Sequence, residues 1–240
     1  MEKFSCDGIV LKTAVSGESH LLLWILTEDS GIIKAFSMGA RGVKNKLHSG
    51  SAQFVYATFY FSRGKNALTV TDIKIHEVFF GLRSSLKRLA VSQYMCEALL
   101  KSLPDGRCDG EIMRLLLNSL YFLSSGKKDE LLVKAVFELR YASEAGFMPS
   151  LVGCDGCGEY ESEKMYFSAE SGKIYCEKCG GNGALLPLAV ITAMRHIVFS
   201  EFEKCFSFTL SSALLPAPSD ATGRYLANML DMTFGTLSFI

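Results

Sequence analysis

Gln53 to Glu77 reads QFVYATFYFSRGKNALTVTDIKIHE. Two β-rich runs, Gln53–Ser62 and Ala67–Glu77, flank Arg63-Gly64-Lys65-Asn66, a hairpin signal with glycine at the turn. The second run changes phase at Asp72: Leu68 and Val70 fall on one face, Ile73 and Ile75 on the other. A bulge there bends the strand, as a small closed barrel requires. Upstream, Phe4–Ala14, Leu21–Leu26 and Ile32–Met38 read as three more strands, broken at Ser16-Gly17-Glu18-Ser19 and Glu28-Asp29-Ser30-Gly31. Five short strands, with one long excursion between the third and fourth, predict an OB-type barrel.

From Leu82 the apolar period becomes helical. Leu82, Leu86, Leu89 and Tyr94 recur at helix spacing until Ser102-Leu103-Pro104-Asp105-Gly106 stops the segment. Glu111–Leu123 predicts a second helix, and Asp129 opens a third that runs through Arg140 to Gly146. Pro187–Phe202 and Ser219–Phe234 read as two more, with Pro216-Ala217-Pro218 as a linker. The predicted class is a multidomain α+β chain. An OB barrel occupies residues 1–80, a helical domain 81–153 and 181–240, and a cysteine knob 154–180 is inserted in the latter.

The 240 residues are 49% apolar and 21% charged, with 25 basic and 25 acidic side chains. That balance excludes a polyanion-seeking chain as a whole but hides an asymmetry. Up to residue 88 there are twelve basic residues against seven acidic, a net of +5, and the remainder carries −5. A basic N-terminal face that meets an anion is the expectation. Met1-Glu2-Lys3-Phe4-Ser5-Cys6-Asp7 lacks an export signal, and the longest strongly apolar run, Leu21–Leu26, is too short to cross a membrane. A cytoplasmic, reducing compartment and no membrane partner are expected.

Of the eight cysteines, Cys6, Cys96, Cys108 and Cys205 are scattered and read as small inert thiols. Cys154-Asp155-Gly156-Cys157 and Cys176-Glu177-Lys178-Cys179 are two C-x-x-C knuckles. Two-residue spacing lets both thiolates of a knuckle reach one ion, and four soft ligands at tetrahedral angles suit structural zinc. Gly156, Gly158 and Gly180 loosen the turns, while Tyr166-Phe167-Ser168 and Lys173-Ile174-Tyr175 predict a hairpin over the site, giving a zinc-ribbon-like knob. The alternatives are structural thiols or a redox pair. A redox C-x-x-C sits at the head of a helix in a βαβ unit, and neither pair has that setting. Four thiolates also leave no open position for catalytic water.

Gly39-Ala40-Arg41-Gly42-Val43-Lys44-Asn45-Lys46-Leu47-His48 places three cations and two glycines in what reads as a mobile loop. Long cationic side chains on such a backbone track phosphates, although a surface loop of this kind is more often simply solvated. Arg41, Lys44 and Lys46 are the candidate phosphate contacts, flanked by Arg63, Lys65, Arg83, Lys87 and Arg88. Phe54, Tyr56 and Tyr60 alternate against Phe59 and Phe61; one set is free to stack bases while the other fills the barrel, though strand aromatics are core more often than platforms. The four histidines lie far apart, acidic pairs sit at turns or helix starts, and no P-loop, G-x-S-x-G or H-E-x-x-H motif occurs. A binding protein is expected, not an enzyme.

Several stretches together resemble the bacterial RecO family over essentially the whole chain: Asp7-Gly8-Ile9-Val10-Leu11-Lys12, Gly17-Glu18-Ser19-His20, Gly39-Ala40-Arg41-Gly42, Gly81-Leu82-Arg83, Phe137-Glu138-Leu139-Arg140, Gly146-Phe147-Met148-Pro149 and the double C-x-x-C around Tyr166-Phe167-Ser168. The resemblance implies an N-terminal OB-fold, a helical domain and a zinc knob. It implies binding of single- and double-stranded DNA, strand annealing, and partnership with RecR to load RecA onto DNA coated by single-stranded DNA-binding protein, in a cytoplasmic, nucleoid-associated setting. That protein's acidic C-terminal tail is expected in a basic-rimmed apolar groove near Arg140 or Arg195. A zinc-ribbon and OB interaction adaptor without annealing activity is the rival reading. A metal-dependent nuclease or thiol oxidoreductase is a further one, unsupported by the carboxylate and histidine layout.

Overall fold

The computed structural model describes residues 2–65, 67–104, 106 and 110–240. The turn residue Asn66, the helix stop at Asp105 and the thiol of Cys108 lie outside the described residues. Two compact units emerge: residues 1–84 with 92–114, and residues 85–91 with 115–240.

In the first unit, β1 (Glu2–Ser16), β2 (His20–Thr27), β3 (Gly31–Ser37), β4 (Tyr56–Arg63) and β5 (Leu68–Glu77) close a barrel in the order β1-β2-β3-β5-β4. All neighbours are antiparallel except β3 and β5, which run parallel. This is the OB topology predicted. The expected bulge is present: Tyr60 pairs with Asp72 and Phe61 with Val70, which leaves Thr71 unpaired on β5. Its hydroxyl donates to the Tyr60 carbonyl at 3.1 Å. A second bulge at Leu11 separates the pairs Val10–Ile25 and Lys12–Trp24. It lets Ile9, Val10 and Leu11 all be buried in succession, which strict alternation forbids. Val10, Leu23, Ile25, Ala35, Phe59, Phe61 and Val70 fill the interior.

The long excursion is not the mobile loop expected from its glycines and cations. Successive backbone bonds, Gly42 to Gly39, Asn45 to Gly42 and His48 to Asn45, wind it into linked turns. Ala40 and Leu47 enter the barrel core, and the Ser51 hydroxyl meets that of Ser37 at 2.8 Å. Two apolar plugs within the polar sequence anchor these turns on the barrel.

Residues 92–114 group with the barrel in the first compact unit. A reciprocal amide pair links this segment to the barrel: Gln53 Nε2 donates to Gln93 Oε1 at 2.9 Å and Gln93 Nε2 to Gln53 Oε1 at 2.8 Å. Gln53 Nε2 also donates to the Leu11 carbonyl at 2.7 Å. Gln93 stands on helix α1 (Leu86–Ser102), which is followed by α2 (Gly110–Ser125). The expectation of Leu86 as an apolar-face residue fails, since its side chain is 87% exposed.

The second unit centres on α3 (Glu130–Glu144), whose residues Leu132 to Ala142 are all buried. Asp129 caps it as expected, accepting from the Leu131 N–H at 2.8 Å. β6 (Lys164–Ser168), β7 (Lys173–Cys176) and β8 (Ala184–Pro187) form a small sheet in the order β7-β6-β8. The predicted hairpin therefore gains a third strand. α4 (Leu188–Phe199) and α5 (Pro216–Leu230) complete the unit. Pro216-Ala217-Pro218 forms the first turn of α5 and not a linker; proline fits there because first-turn N–H groups have no intrahelical acceptor.

Candidate metal centre and nucleic-acid interface

The knob brings its four cysteines to one point. The sulfurs of Cys154, Cys157, Cys176 and Cys179 all lie within 4.8 Å of one another, so the group can hold a metal ion. The two knuckles are built alike. Gly158 N–H donates to the Cys154 carbonyl at 2.8 Å and Gly180 N–H to the Cys176 carbonyl at 3.0 Å. Gly158 and Gly180 have φ of 78° and 65°, a left-handed backbone that favours glycine directly after each second cysteine. An ion bonded to four sulfurs at about 2.3 Å spans a tetrahedral edge of about 3.8 Å. Cys157 and Cys176, one from each knuckle, have sulfurs 3.7 Å apart.

Electrostatics favour a cation here. Backbone donation from Cys176, joined by Cys157 and Gly156, brings the Cys154 thiol down to about 6 against desolvation. Hydrogen bonding to the sulfurs of Cys157, Cys154 and Cys176 pushes Cys179 up to about 12. Four thiols this close cannot all ionise without a positive charge between them. The remaining described cysteines are free thiols. Burial pushes Cys6 up to about 11 and raises Cys96 and Cys205, in keeping with inert roles.

The knob is held by its neighbours. Met165, Phe167, Ile174 and Leu186 form its buried apolar centre. Asp155 N–H donates to the Ile174 carbonyl at 2.8 Å, and Lys173 pairs with the Asp155 carboxylate at 3.1 Å. The Tyr225 ring on α5 meets Phe167 edge-on at 5.6 Å, and its hydroxyl donates to the Phe147 carbonyl at 2.7 Å.

In the first unit, Arg41, Lys44 and Lys46 all project from the ordered loop into solvent. Arg41 Nη1 donates to the Glu18 carbonyl at 2.6 Å, and its N–H to the Ser19 carbonyl at 3.1 Å, which docks the loop on the β1–β2 turn. Lys46 reaches β5 and pairs with Asp72 at 3.0 Å. That hydrogen bond and the lysine charge hold the Asp72 carboxyl below its ordinary value. Arg63 pairs with Glu2 at 3.1 Å and lies over the Phe4 ring. Lys65 and Arg83 are exposed. Among the described residues, Lys44, Lys65, Arg83 and Lys87 form no ion pair.

Other candidates are displaced. Tyr60 faces solvent and Tyr56 is half-buried, while Phe59 and Phe61 face inward, so β4 alternates as read. Phe54 precedes the strand and is 2% exposed, which removes it from any outer platform. In the second unit, Lys87 is half-buried and Arg88 pairs with Glu130 at 3.2 Å. Arg140 and Arg195, expected at a groove rim, are each only 7% exposed. Arg140 Nη2 donates to the Ser200 carbonyl at the end of α4. Arg195 donates to the carbonyls of Leu151, Val152 and Tyr160 and lies 4.1 Å from the Tyr160 ring centroid. Both cations are absorbed by chain ends and loops that must satisfy their own carbonyls.

Comparison with known proteins covers both units. Residues 1–79 match the family described as Recombination protein O N terminal, and residues 83–238 match Recombination protein O C terminal. A protein of Acetivibrio thermocellus named DNA repair protein RecO is 31% identical over 243 residues, covering 100% of this chain and 97% of the relative. Proteins of the same name from Alkaliphilus metalliredigens and Dehalococcoides mccartyi are 31% and 29% identical. They cover 73% and 88% of this chain, and 71% and 85% of their own lengths. No helix among the described residues is long and apolar enough to cross a membrane.

Proposed function

The chain belongs to the RecO family of DNA repair proteins, and from that premise we propose that it is a recombination mediator. It binds single- and double-stranded DNA, anneals complementary strands and, with RecR, loads RecA onto DNA coated by single-stranded DNA-binding protein, whose C-terminal tail it contacts. Residues 1–80 are its DNA-binding part. The single observation that supports this most is the OB barrel carrying Arg41, Lys44 and Lys46 outward on an ordered loop. Arg63, Lys65, Arg83, Lys87 and Arg88 serve as secondary contacts, with Arg63 and Arg88 already engaged by Glu2 and Glu130.

The mechanism is charge neutralisation. Two DNA strands repel each other, and cations that hold both lower that barrier while bases find register. No covalent step is assigned to the chain. Cys154, Cys157, Cys176 and Cys179 hold Zn²⁺, which supplies a structural cross-link and no open coordination position for chemistry.

A strand-annealing assay with complementary oligonucleotides, bare and coated with single-stranded DNA-binding protein, tests the proposal. Annealing accelerated in both cases supports it. Tight binding to protein partners with no acceleration supports an interaction adaptor instead.

A further inference from the structure

The loop that carries Arg41 is fastened at its base by a histidine ring. His20 opens β2, and its Nδ1 accepts the Gly39 N–H at 2.9 Å. Strand pairing between β2 and β3 ends at Leu21 and Ser37, so this bond carries the chain onward into the loop. Gly39 has φ of 72°, and a Cβ there would come 2.5 Å from Asn45 Nδ2, which makes the turn a glycine position. Two residues on, the Arg41 N–H and guanidinium reach the Ser19 and Glu18 carbonyls. A second ring acts inside the loop, where His48 Nδ1 meets the Ala40 carbonyl at 2.8 Å. A carbonyl only accepts, so that nitrogen carries a proton. A backbone N–H only donates, so His20 Nδ1 is bare and the neutral ring holds its proton on Nε2. The two histidines are held in opposite tautomers.

From this arrangement we infer that His20 is a positioning residue for the basic loop, which is docked through it only while the ring is uncharged. The inference deepens the proposed DNA binding and rests on it. A protonated imidazole has two donors and no acceptor. It would face the Gly39 N–H donor to donor, so the bond is present above the titration of the ring and lost as the pH falls through it. His48 behaves differently, because a proton added at its Nε2 leaves the Nδ1–H on Ala40 in place. The Arg41 bonds end on carbonyls and do not titrate in the histidine range. Charged and titratable groups on the elements around the ring are Glu18 on its own turn and Arg41, Lys44, Lys46 and His48 on the loop. The adjoining ends of β1 and β3 bring the uncharged Ser16 and Ser37. Among the described residues no carboxylate pairs with the His20 ring, so protonation adds a cation on the side where Arg41 docks. A docked loop presents Arg41 and Lys44 in one arrangement, and less freedom is lost when phosphates bind.

The experiment uses the full-length chain, first without DNA. Long-range nitrogen–proton correlation spectra read the protonation of each ring nitrogen. Hydrogen exchange, corrected for its intrinsic pH dependence, reads protection of the Gly39 amide between about pH 5.5 and 8. At the upper end His20 should show a bare Nδ1 and His48 a protonated one. Gly39 protection should fall about five-fold or more on acidification, with the midpoint of the His20 ring. His20→Asn places an oxygen near the Nδ1 position and should keep the protection at every pH, whereas His20→Ala should lack it at every pH. With oligo(dT) at about pH 8 and low salt, the Ala variant should bind about three-fold more weakly or worse, and the Asn variant within about two-fold of the parent. A proton on His20 Nδ1 at that pH, or Gly39 protection that ignores pH, overturns the clamp. An Ala variant that loses the protection but keeps parental oligonucleotide affinity overturns the positioning role and leaves DNA binding intact. No oligonucleotide binding by the parent chain overturns the DNA-binding reading, and this inference with it.

Discussion

Arg195 on α4 donates through Nε to the carbonyl of Leu151 at 2.6 Å, while its Nη2 serves Val152 and Tyr160 on the same approach to the knob. Replacing Arg195 by Met keeps much of the side-chain volume and orphans the carbonyl of wholly buried Leu151, while Val152 and Tyr160 are exposed and water can replace the donor there. Each buried unsatisfied acceptor costs about 1–3 kcal/mol. The expected outcome is a loss of about 1–3 kcal/mol, read as a lower urea midpoint with unchanged slope. Loss of partner-peptide binding at full stability is the result that would restore Arg195 to a recognition role.

The four-sulfur cluster predicts one metal ion per chain by elemental analysis, with zinc as the ion. Cys154→Ser or Cys176→Ser, both at buried cysteines, should drop that stoichiometry to near zero and lower the melting temperature. The OB barrel has its own apolar core and should retain its fold in these variants, visible as unchanged signals for the first unit in an NMR spectrum.

Lys46 and Asp72 give a pH signature. The folded-state pKa of Asp72 lies below the ordinary 3.8 because of the lysine hydrogen bond and charge. Its small contribution to stability is therefore present above the unfolded value and disappears as the pH falls through the lower folded one. A carboxyl NMR titration should show a midpoint under 3.8 that moves back up in Lys46→Ala. Asp72→Asn releases Lys46 for phosphate, and oligonucleotide affinity at low salt should rise by ~2- to 5-fold.

Leu47 plugs the barrel from within the basic loop and is only 5% exposed. Leu47→Ala should cost about 2–4 kcal/mol in chemical denaturation. It should also loosen the loop, so that amides of residues 40–48 exchange faster than in the parent chain.

The barrel and the metal centre were legible in the sequence for different reasons. The phase change at Asp72 announced a bulge because strand side chains alternate with a period of two, and a break in that alternation has few other causes. The paired C-x-x-C spacing announced a four-sulfur cluster able to hold a metal ion because ligand chemistry is local. What sequence could not show was which polar side chains the fold consumes. Arg140 and Arg195 read as surface cations, yet distant carbonyls claim them; nothing in local composition signals a partner tens of residues away. Loop order was misjudged because Ala40 and Leu47 are two apolar residues in a polar stretch, too few for periodicity to register.

The salt dependence of oligonucleotide binding tests phosphate capture by the barrel's loop most directly. For single strands each phosphate contact contributes about 0.7 to the slope of log affinity against log salt, and about 0.9 for duplex. Replacing Arg41, Lys44 and Lys46 together by Ala should flatten the slope by about 2–3. A slope unchanged by the triple substitution, in a chain that still folds, would contradict the loop as the phosphate site.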